Sequence, residues 1–246
     1  MVIGAGCGCV FGYLFVKNIA IPRYQYDKRV ERAEAMFQTL CKRSGVFIRR
    51  TVRDVEEIRL INVRDPEARS DRQFTLWDPY GDEPGAEAYI ATFLERPADC
   101  ADGEVGSMSA RRFRAVYAEL PGGTMKRFSY TSGGRFSVHP VTGPTPRFGV
   151  RFKDISTREH RNYWIAGSSL QVVDLLNDEV IAERIGYLWD PGQGDRYGGR
   201  SPWGMAARRA CPGFHPLPGM DGFTPPRVVQ RGQAFRFVSQ VVILKQ

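Results

Sequence analysis

The residues best suited to bind a ligand lie in a glycine-rich segment, PGQGDRYGGRSPW, between a predicted strand and a predicted short helix. A helix N-terminus presents free backbone N–H groups that bind phosphate and carboxylate groups. Arg196 and Arg200 would add positive charge, and Ser201 would cap the helix. However, Tyr197 stands where a dinucleotide-binding fingerprint needs its third glycine, and no P-loop Gly-Lys-Ser/Thr motif occurs. The segment therefore indicates a generic anion site, and a flexible connection explains its glycines at least as well.

No other set of residues points to catalysis or to a metal site. The histidines His139, His160 and His215 are scattered along the chain. Cys211 and His215 form one unpaired couple, whereas a zinc site needs four ligands. No G-x-S-x-G nucleophile motif is present. We therefore expect no metal and no cofactor, and the sequence favours a protein that is not an enzyme.

Three cysteines lie beyond the N-terminal segment: Cys41, Cys100 and Cys211. Cys41 lies at the end of one predicted helix and Cys211 at the end of another, so these two could form a disulfide in an oxidising compartment. This pairing would leave Cys100 free. Buried reduced thiols are an equally simple alternative.

The first sixteen residues, MVIGAGCGCVFGYLFV, contain no charged and no strongly polar side chain. A membrane-spanning helix needs about 20 apolar residues. The run reaches this length if Lys17 extends to the lipid headgroups and Ile19–Ile21 lies at the boundary. Tyr24 and Tyr26 then follow where interfacial aromatic residues are expected. We predict a transmembrane anchor over residues 1–21 with the lipid bilayer as partner; the alternative is a core element that happens to be N-terminal.

Small residues recur at a regular interval within this predicted anchor. Gly4, Gly8 and Gly12 are four residues apart and would form one ridge on a helix. Such a ridge lets a second helix approach closely, which favours self-association or a membrane protein partner. Glycine is also simply frequent in membrane helices. Because neither a basic n-region nor a small-x-small cleavage site is visible, we expect the anchor to be uncleaved.

The orientation of the predicted anchor has opposing indications. Lys17, Arg23 and further bases up to Arg32 follow it, and the positive-inside rule would keep the body in the cytoplasm. The possible disulfide favours the opposite orientation, as would basic residues upstream of Met1 if the true start lies before it. We expect a single-pass protein of the inner (cytoplasmic) membrane whose body lies on the extracytoplasmic side.

The pattern after the anchor predicts an α+β fold. Apolar residues at helical spacing, ending at Gly45, predict a juxtamembrane helix over residues 22–45. Two apolar or alternating runs, Asn162–Leu176 and Glu179–Trp189, meet at an Asn-Asp turn and predict a β-hairpin. With further strands and a few short helices, residues 46–246 are predicted to form a single domain on an antiparallel sheet.

The formal charge of +8 is distributed in alternating blocks. Residues 73–110 and 154–195 are acidic, whereas residues 111–153 and 196–246 are basic. Such blocks can neutralise one another in the fold, whereas a nucleic-acid groove gains nothing from acidic segments. Nucleic acid is therefore not the expected partner, and the ordinary globular composition excludes wholesale disorder.

The stretch YWIAGSSLQVVDLLNDEVIAERIGYLWD, together with GGRSPW and ACPGF, resembles a group of uncharacterised bacterial membrane-tethered proteins. The resemblance covers residues 20–212 and implies a location in the bacterial cell envelope but no particular activity. We expect a membrane-anchored, non-enzymatic protein that binds another component of the cell envelope. The alternative is an anion or small-ligand binding protein, or an enzyme, that uses the glycine- and arginine-rich loop 192–200.

Overall fold

The computed structural model describes residues 21–64, 73–74, 85–95, 112–120, 123–214 and 232–245. In these ranges the α-helices are α1 (Ile21–Cys41), α2 (Ala86–Ala91), α3 (Arg158–Asn162), α4 (Pro202–Ala206) and α5 (Gln233–Val241). The strands are β1 (Gly45–Ile48), β2 (Val52–Val55), β3 (Glu57–Leu60), β4 (Ala115–Glu119), β5 (Met125–Tyr130), β6 (Phe136–Pro140), β7 (Phe148–Asp154), β8 (Ile165–Asp174), β9 (Glu179–Trp189), β10 (Ala210–Cys211) and β11 (Val242–Leu244).

Nine strands form one mixed sheet in the order β1-β9-β8-β7-β3-β4-β5-β6, with β10 also paired to β9. Strand β3 runs parallel to both of its neighbours, β4 and β7, and the other pairings in this sheet are antiparallel. Parallel neighbours need a crossover connection, and α2 lies in the chain between β3 and β4. The sheet-based body with a few helices is confirmed, but the prediction of an antiparallel sheet is wrong at β3. Strands β2 and β11 form a separate parallel pair.

Helix α1 lies where the sequence predicts a juxtamembrane helix over residues 22–45. The predicted anchor over residues 1–21 falls outside the described residues except for Ile21, and Gly4, Gly8 and Gly12 all lie outside them. The anchor and its packing face therefore stay predictions. Within the described ranges, no helix combines the length and the apolar character that crossing a bilayer requires.

Strand β8 is buried along its whole length because elements cover both faces of the sheet. On one face, α2, α5 and the β2–β11 pair bury the main core, whose largest side chains include Tyr89, Phe93, Phe113, Phe128 and Phe237. On the other face, α1 buries Ala33, Phe37 and Leu40, a single stripe at helical spacing. This stripe packs against Ile165, Tyr187 and Trp189. The helix thereby covers the end of β8 and β9 that the main core leaves open.

The hairpin predicted from the sequence is confirmed, with β8 and β9 paired from Ile165 opposite Trp189 to Asp174 opposite Glu179. The Asp174 side chain is only 1% exposed. It accepts hydrogen bonds from Nε of Arg147, shared between both carboxylate oxygens at 2.9 and 3.1 Å, from Nη2 of Arg147 at 2.7 Å, and from Arg50 at 2.7 Å. The Arg147 and Arg50 guanidinium groups hold the pKa of Asp174 well below its ordinary value of 3.8. This carboxylate ties β1–β2 and β7 to the turn of the hairpin.

Replacing Asp174 by Asn should make stability less dependent on pH at the acid end. Because the folded-state pKa is lowered, the stabilisation by the carboxylate is complete above 3.8 and is lost as pH falls toward the folded-state value. We expect D174N to lower the free energy of unfolding at pH 7 by about 1–2 kcal/mol, since both arginines are partly exposed to screening water. The difference from wild type should shrink between about pH 5 and pH 2.

Urea unfolding of both proteins across this pH range measures the effect. The matched control is D178N in the exposed turn of the same hairpin, which should stay within about 0.5 kcal/mol of wild type. If the difference in unfolding free energy between D174N and wild type stays constant with pH, the lowered pKa of Asp174 is contradicted.

Candidate functional site

The glycine-rich loop after β9 is organised around the carboxylate of Asp190, which is fully buried at the end of that strand. This carboxylate accepts hydrogen bonds from the backbone N–H groups of Gly192 (3.0 Å) and Gly194 (2.9 Å). The guanidinium group of Arg200 pairs with it through both terminal nitrogens, one at 2.9 Å. The hydrogen bond to Asp190 raises the pKa of Arg200 above its ordinary value. The loop therefore does bind an anion, and that anion is the chain's own side chain.

This arrangement changes the interpretation of the three residues predicted to bind an external anion. Arg200 pairs with Asp190, so its charge is already neutralised by the chain, and binding of an external anion there stays a prediction. Arg196 is exposed in the loop, and Ser201 makes no side-chain hydrogen bond that caps α4, a helix of five residues. The anion site predicted at Arg196 and Ser201 depended on Arg200 for charge, and that charge is already paired with Asp190. The signal that the sequence analysis missed is the aspartate directly after a strand and directly before Pro-Gly-x-Gly.

Close packing, not phosphate binding, explains the two glycines of this loop. Gly194 has φ +85, and a Cβ atom there would lie 2.1 Å from the indole ring of Trp164. A Cβ atom on Gly192 would lie 2.6 Å from the guanidinium group of Arg200. The Trp164 ring in turn packs against Trp203 of α4, with ring centroids 5.2 Å apart. Both glycines are therefore required by contacts inside the fold.

The outer side of the same loop receives helix α1. Tyr26 donates a hydrogen bond to the carbonyl of Pro191 (3.3 Å), and Arg29 donates one to the side-chain oxygen of Gln193 (2.9 Å). Gln193 itself donates to the carbonyl of Tyr163 at 3.0 Å. The guanidinium group of Arg29 lies 5.0 Å from the centre of the Tyr163 ring. We call Tyr163 together with residues 191–193 the helix seat, because it fixes the exposed half of α1.

A disulfide fixes the opposite end of α1. The structure joins Cys41, the last residue of α1, to Cys211 of β10, which is one of the two alternatives that the sequence left open for these thiols. Next to it, Phe37 packs on Trp189 with ring centroids 5.8 Å apart. Helix α1 is thus held at its middle by apolar packing, at one end by the helix seat and at the other by a covalent bond. Cys100 lies outside the described residues.

Two of the three histidines have structural roles. His160 takes part in a capping box at the start of α3: its backbone N–H donates to the Thr157 hydroxyl and its Nδ1 accepts from the Thr157 N–H. Burial lowers the pKa of His160. His139 contacts Ser137 on β6, and His215 lies outside the described residues. Within the described part of the chain, no cluster of His, Cys, Asp or Glu is suited to hold a metal ion.

A charged cleft of about 240 Å³ lies between β2, β11 and the start of β4. Its carboxylate Glu56 pairs with Lys245 at 2.9 Å and with Arg114 at 3.5 Å, and Lys245 is the main cause that lowers the pKa of Glu56. Arg112 donates to the carbonyl of Thr92 and packs on Phe235. Typical ligand pockets are larger and mostly apolar. Glu56, Arg114 and Lys245 pair with one another, and the cleft is smaller and more polar than a typical ligand pocket.

Removing the buried carboxylate of the loop should destabilise the fold and create an anion site. We expect Asp190→Ala to lower the free energy of unfolding by about 3–5 kcal/mol, because Arg200 would be left without its buried partner. Formate or acetate should raise the melting temperature of this variant and leave that of the wild type unchanged, as thermal-shift assays with chloride as the reference salt can measure. Asp195→Asn is the control: Asp195 is exposed, Asn keeps the side-chain oxygen that accepts from the N–H of Tyr197, and the variant should stay within about 0.5 kcal/mol of wild type. Equal responses of wild type and variant to formate would show that Asp190 does not occupy the anion position.

Comparisons with known proteins identify no relative of this chain. No protein-family model matches it. No curated protein matches it, and no solved structure does. The resemblance to bacterial membrane-tethered proteins therefore stays a prediction, and function has to be argued from the contacts described above.

Proposed function

We propose that this chain is a single-pass protein of the bacterial inner membrane whose body lies on the extracytoplasmic side and binds another component of the cell envelope. The uncharged first sixteen residues provide the anchor. The anchor leads directly into α1, and α1 leads into the sheet. The body is thus a rigid module tethered to the bilayer.

The observation that carries this proposal is the disulfide between Cys41 and Cys211. Disulfides form and persist in oxidising compartments such as the bacterial periplasm and are rare in the cytosol. The two cysteines are separated by 170 residues, and the bond links the first described helix to β10, which pairs with β9. A tethered body held together in this way fits the extracytoplasmic side of the membrane.

The basic residues after the anchor, which favour the opposite orientation, have partners in the fold. Arg29 holds the helix seat, and Arg32 lies 5.7 Å from the Tyr163 ring and 3.9 Å from Glu159. Lys28 pairs with Glu31 at 2.7 Å. The contacts of Arg29 and Arg32 give these two bases a role in docking α1, so their presence does not depend on cytoplasmic retention.

A binding role is favoured over the alternative of an anion-binding protein or an enzyme. That alternative used loop 192–200, and its main cation, Arg200, is paired with a buried carboxylate. Two of the non-glycine residues with positive φ lie beside this loop, and both make contacts inside the fold: Trp164 packs on Trp203, and Gln193 bonds to Tyr163 and to Arg29 of α1.

Fractionation tests the anchor. The full-length chain should remain in the membrane pellet after an alkaline carbonate wash and should need detergent for release, because a single apolar helix holds it in lipid. Soluble recovery of the full-length chain without detergent would contradict the proposal. A known peripheral protein of the same membrane, released by the wash, serves as the control.

Thiol trapping tests the side of the membrane. Cells are acid-quenched and alkylated with a heavy maleimide, and mobility on a gel then counts the free thiols. In a background with Cys7, Cys9 and Cys100 replaced by Ser, we expect Cys41 and Cys211 to react only after reduction, because the extracytoplasmic space keeps the disulfide oxidised. The Cys41→Ser variant, in which Cys211 reacts without reductant, calibrates the shift. Reaction of both thiols without reductant in the membrane fraction of this background would place the body in the cytoplasm.

A further inference from the structure

Strand β1 lies at one edge of the sheet, paired with β9 alone. Its side chains Val46, Phe47 and Ile48 are 44%, 49% and 41% exposed. Val46 and Ile48 lie opposite Arg184 and Ala182, whereas Phe47 lies opposite Glu183 on the other face of the sheet. A strand that is apolar on both faces is typical of the sheet interior, where both faces are covered. Strand β1 therefore has the apolar composition of an interior strand although it lies at an exposed edge of the sheet.

The backbone of β1 leaves hydrogen-bonding groups open on its outer side. In an antiparallel pair, residues alternate between hydrogen-bonded and non-hydrogen-bonded positions. The N–H of Arg49 donates to the carbonyl of Ile181 at 2.9 Å, which makes Phe47 opposite Glu183 a hydrogen-bonded position. The N–H and C=O groups of Val46 and Ile48 therefore point away from β9. No described residue hydrogen-bonds to them.

The opposite edge of the sheet, β6, is blocked in the way expected of a protected edge. The N–H of Thr131 donates to the carbonyl of Arg135 at 2.9 Å, and the same alternation then turns Phe136, Val138 and Pro140 outward. Proline at an outward position removes a donor that an added strand would need. Strand β1 contains no proline. One edge of this sheet thus lacks an outward donor at Pro140, whereas β1 keeps the donors of both Val46 and Ile48, and no described residue hydrogen-bonds to them.

Positive charge flanks the open edge on both sides. Lys42 and Arg43 precede β1 and Arg49 follows it, and all three are exposed. Among the described residues, neither Lys42 nor Arg43 forms an ion pair. Arg50 is different, because Asp174 and Glu179 neutralise it. An incoming strand therefore meets an apolar centre between cationic ends.

These charges disfavour a second copy of the chain as the occupant. An antiparallel pair of two β1 strands would bring Arg43 of one copy close to Arg49 of the other, and like charges on neighbouring strands repel. A strand with acidic residues at its ends would instead pair with both cationic flanks. Helix α1 has 21 residues and separates β1 from the predicted anchor by about 30 Å. The segment that pairs with β1 therefore lies in water and not in the bilayer.

We infer that the outer edge of β1 accepts an extended segment of a partner protein, with an apolar centre and acidic flanks, as an added strand of the sheet. The inference rests on the proposed function, because it names the chemistry of the envelope partner. The outward backbone groups of Val46 and Ile48 form the ladder with the segment. The apolar side chains on the two faces then cover its centre, and Lys42, Arg43 and Arg49 pair with its ends.

A displayed library of short peptides tests this inference on the full-length chain in detergent. The peptides share a randomised centre and carry either two glutamates or two lysines at each end. We expect recovery of glutamate-flanked peptides with β-branched centres, roughly tenfold above the lysine-flanked set. Ile48→Pro, which removes one outward donor, should reduce recovery about tenfold. Val138→Pro makes the same change on the blocked edge and should leave recovery unchanged.

A second variant keeps the test independent of any effect of proline on folding. The double charge reversal K42E/R43E alters only exposed side chains, so it should fold as the wild type and shift the preference to lysine-flanked peptides. Recovery of neither set, equal recovery of both, or recovery unaffected by Ile48→Pro overturns the inference. A wild-type dimer in sedimentation that Ile48→Pro converts to monomer would also overturn it and assign the edge to a second copy. Fractionation and thiol trapping do not depend on peptide binding, so failure here leaves the anchored topology standing and is distinguishable from its failure.

Discussion

The carboxylate of Asp190 is the group on which the joint between helix and sheet depends. It ends β9 without exposure to water, and two backbone N–H groups and Arg200 compensate its charge. A buried charge without such partners costs several kcal/mol, so the loop has little freedom to take another path. The path that it takes brings Gly194 against Trp164 and Gln193 under Arg29. The seat of α1 is therefore set by an interaction that lies inside the body and not in the helix itself.

Because α1 is held at three places, the helix and the sheet behave as one unit. Apart from the buried stripe of Ala33, Phe37 and Leu40, its surface is mostly exposed and polar, so it would gain little stability as an isolated helix. Packing on Trp189 and the bond to Cys211 supply the stability that the helix lacks on its own. If the anchor precedes it as proposed, the orientation of α1 at the bilayer also fixes the orientation of the sheet. The position of β1 relative to the membrane then follows from the length of the helix.

The sequence was sufficient for the first helix and for the β8–β9 hairpin, but not for the positions of the strands in the sheet. The Asn-Asp turn between two apolar runs predicted the β8–β9 hairpin because turn chemistry and register are local. The parallel position of β3 could not be predicted, since a period of two residues tells which face is buried and says nothing about which strand lies alongside. The anion-binding pattern was recognised, yet a helix terminus and glycine N–H groups bind a carboxylate of the same chain as readily as a foreign phosphate. Only the fold shows that Asp190 is the occupant.

The alternating charge blocks and the two unequal sheet edges have a common explanation. Acidic residues of the segment 154–195 are used inside the body: Asp174 by arginines of two basic segments and Asp190 by Arg200 of a third. Once these pairs are formed, the surplus of positive charge remains on the surface, including Lys42 and Arg43 beside β1.

An open apolar edge is an aggregation hazard unless something opposes self-pairing. Proline opposes it at β6 by removing a donor for any partner, whereas like charge at β1 opposes only a copy of the same strand and leaves the backbone donors in place. The positive charge beside β1 thus still allows pairing with a strand that carries negative charge. The charge pattern, and not the apolar side chains alone, therefore determines what the edge of β1 can bind.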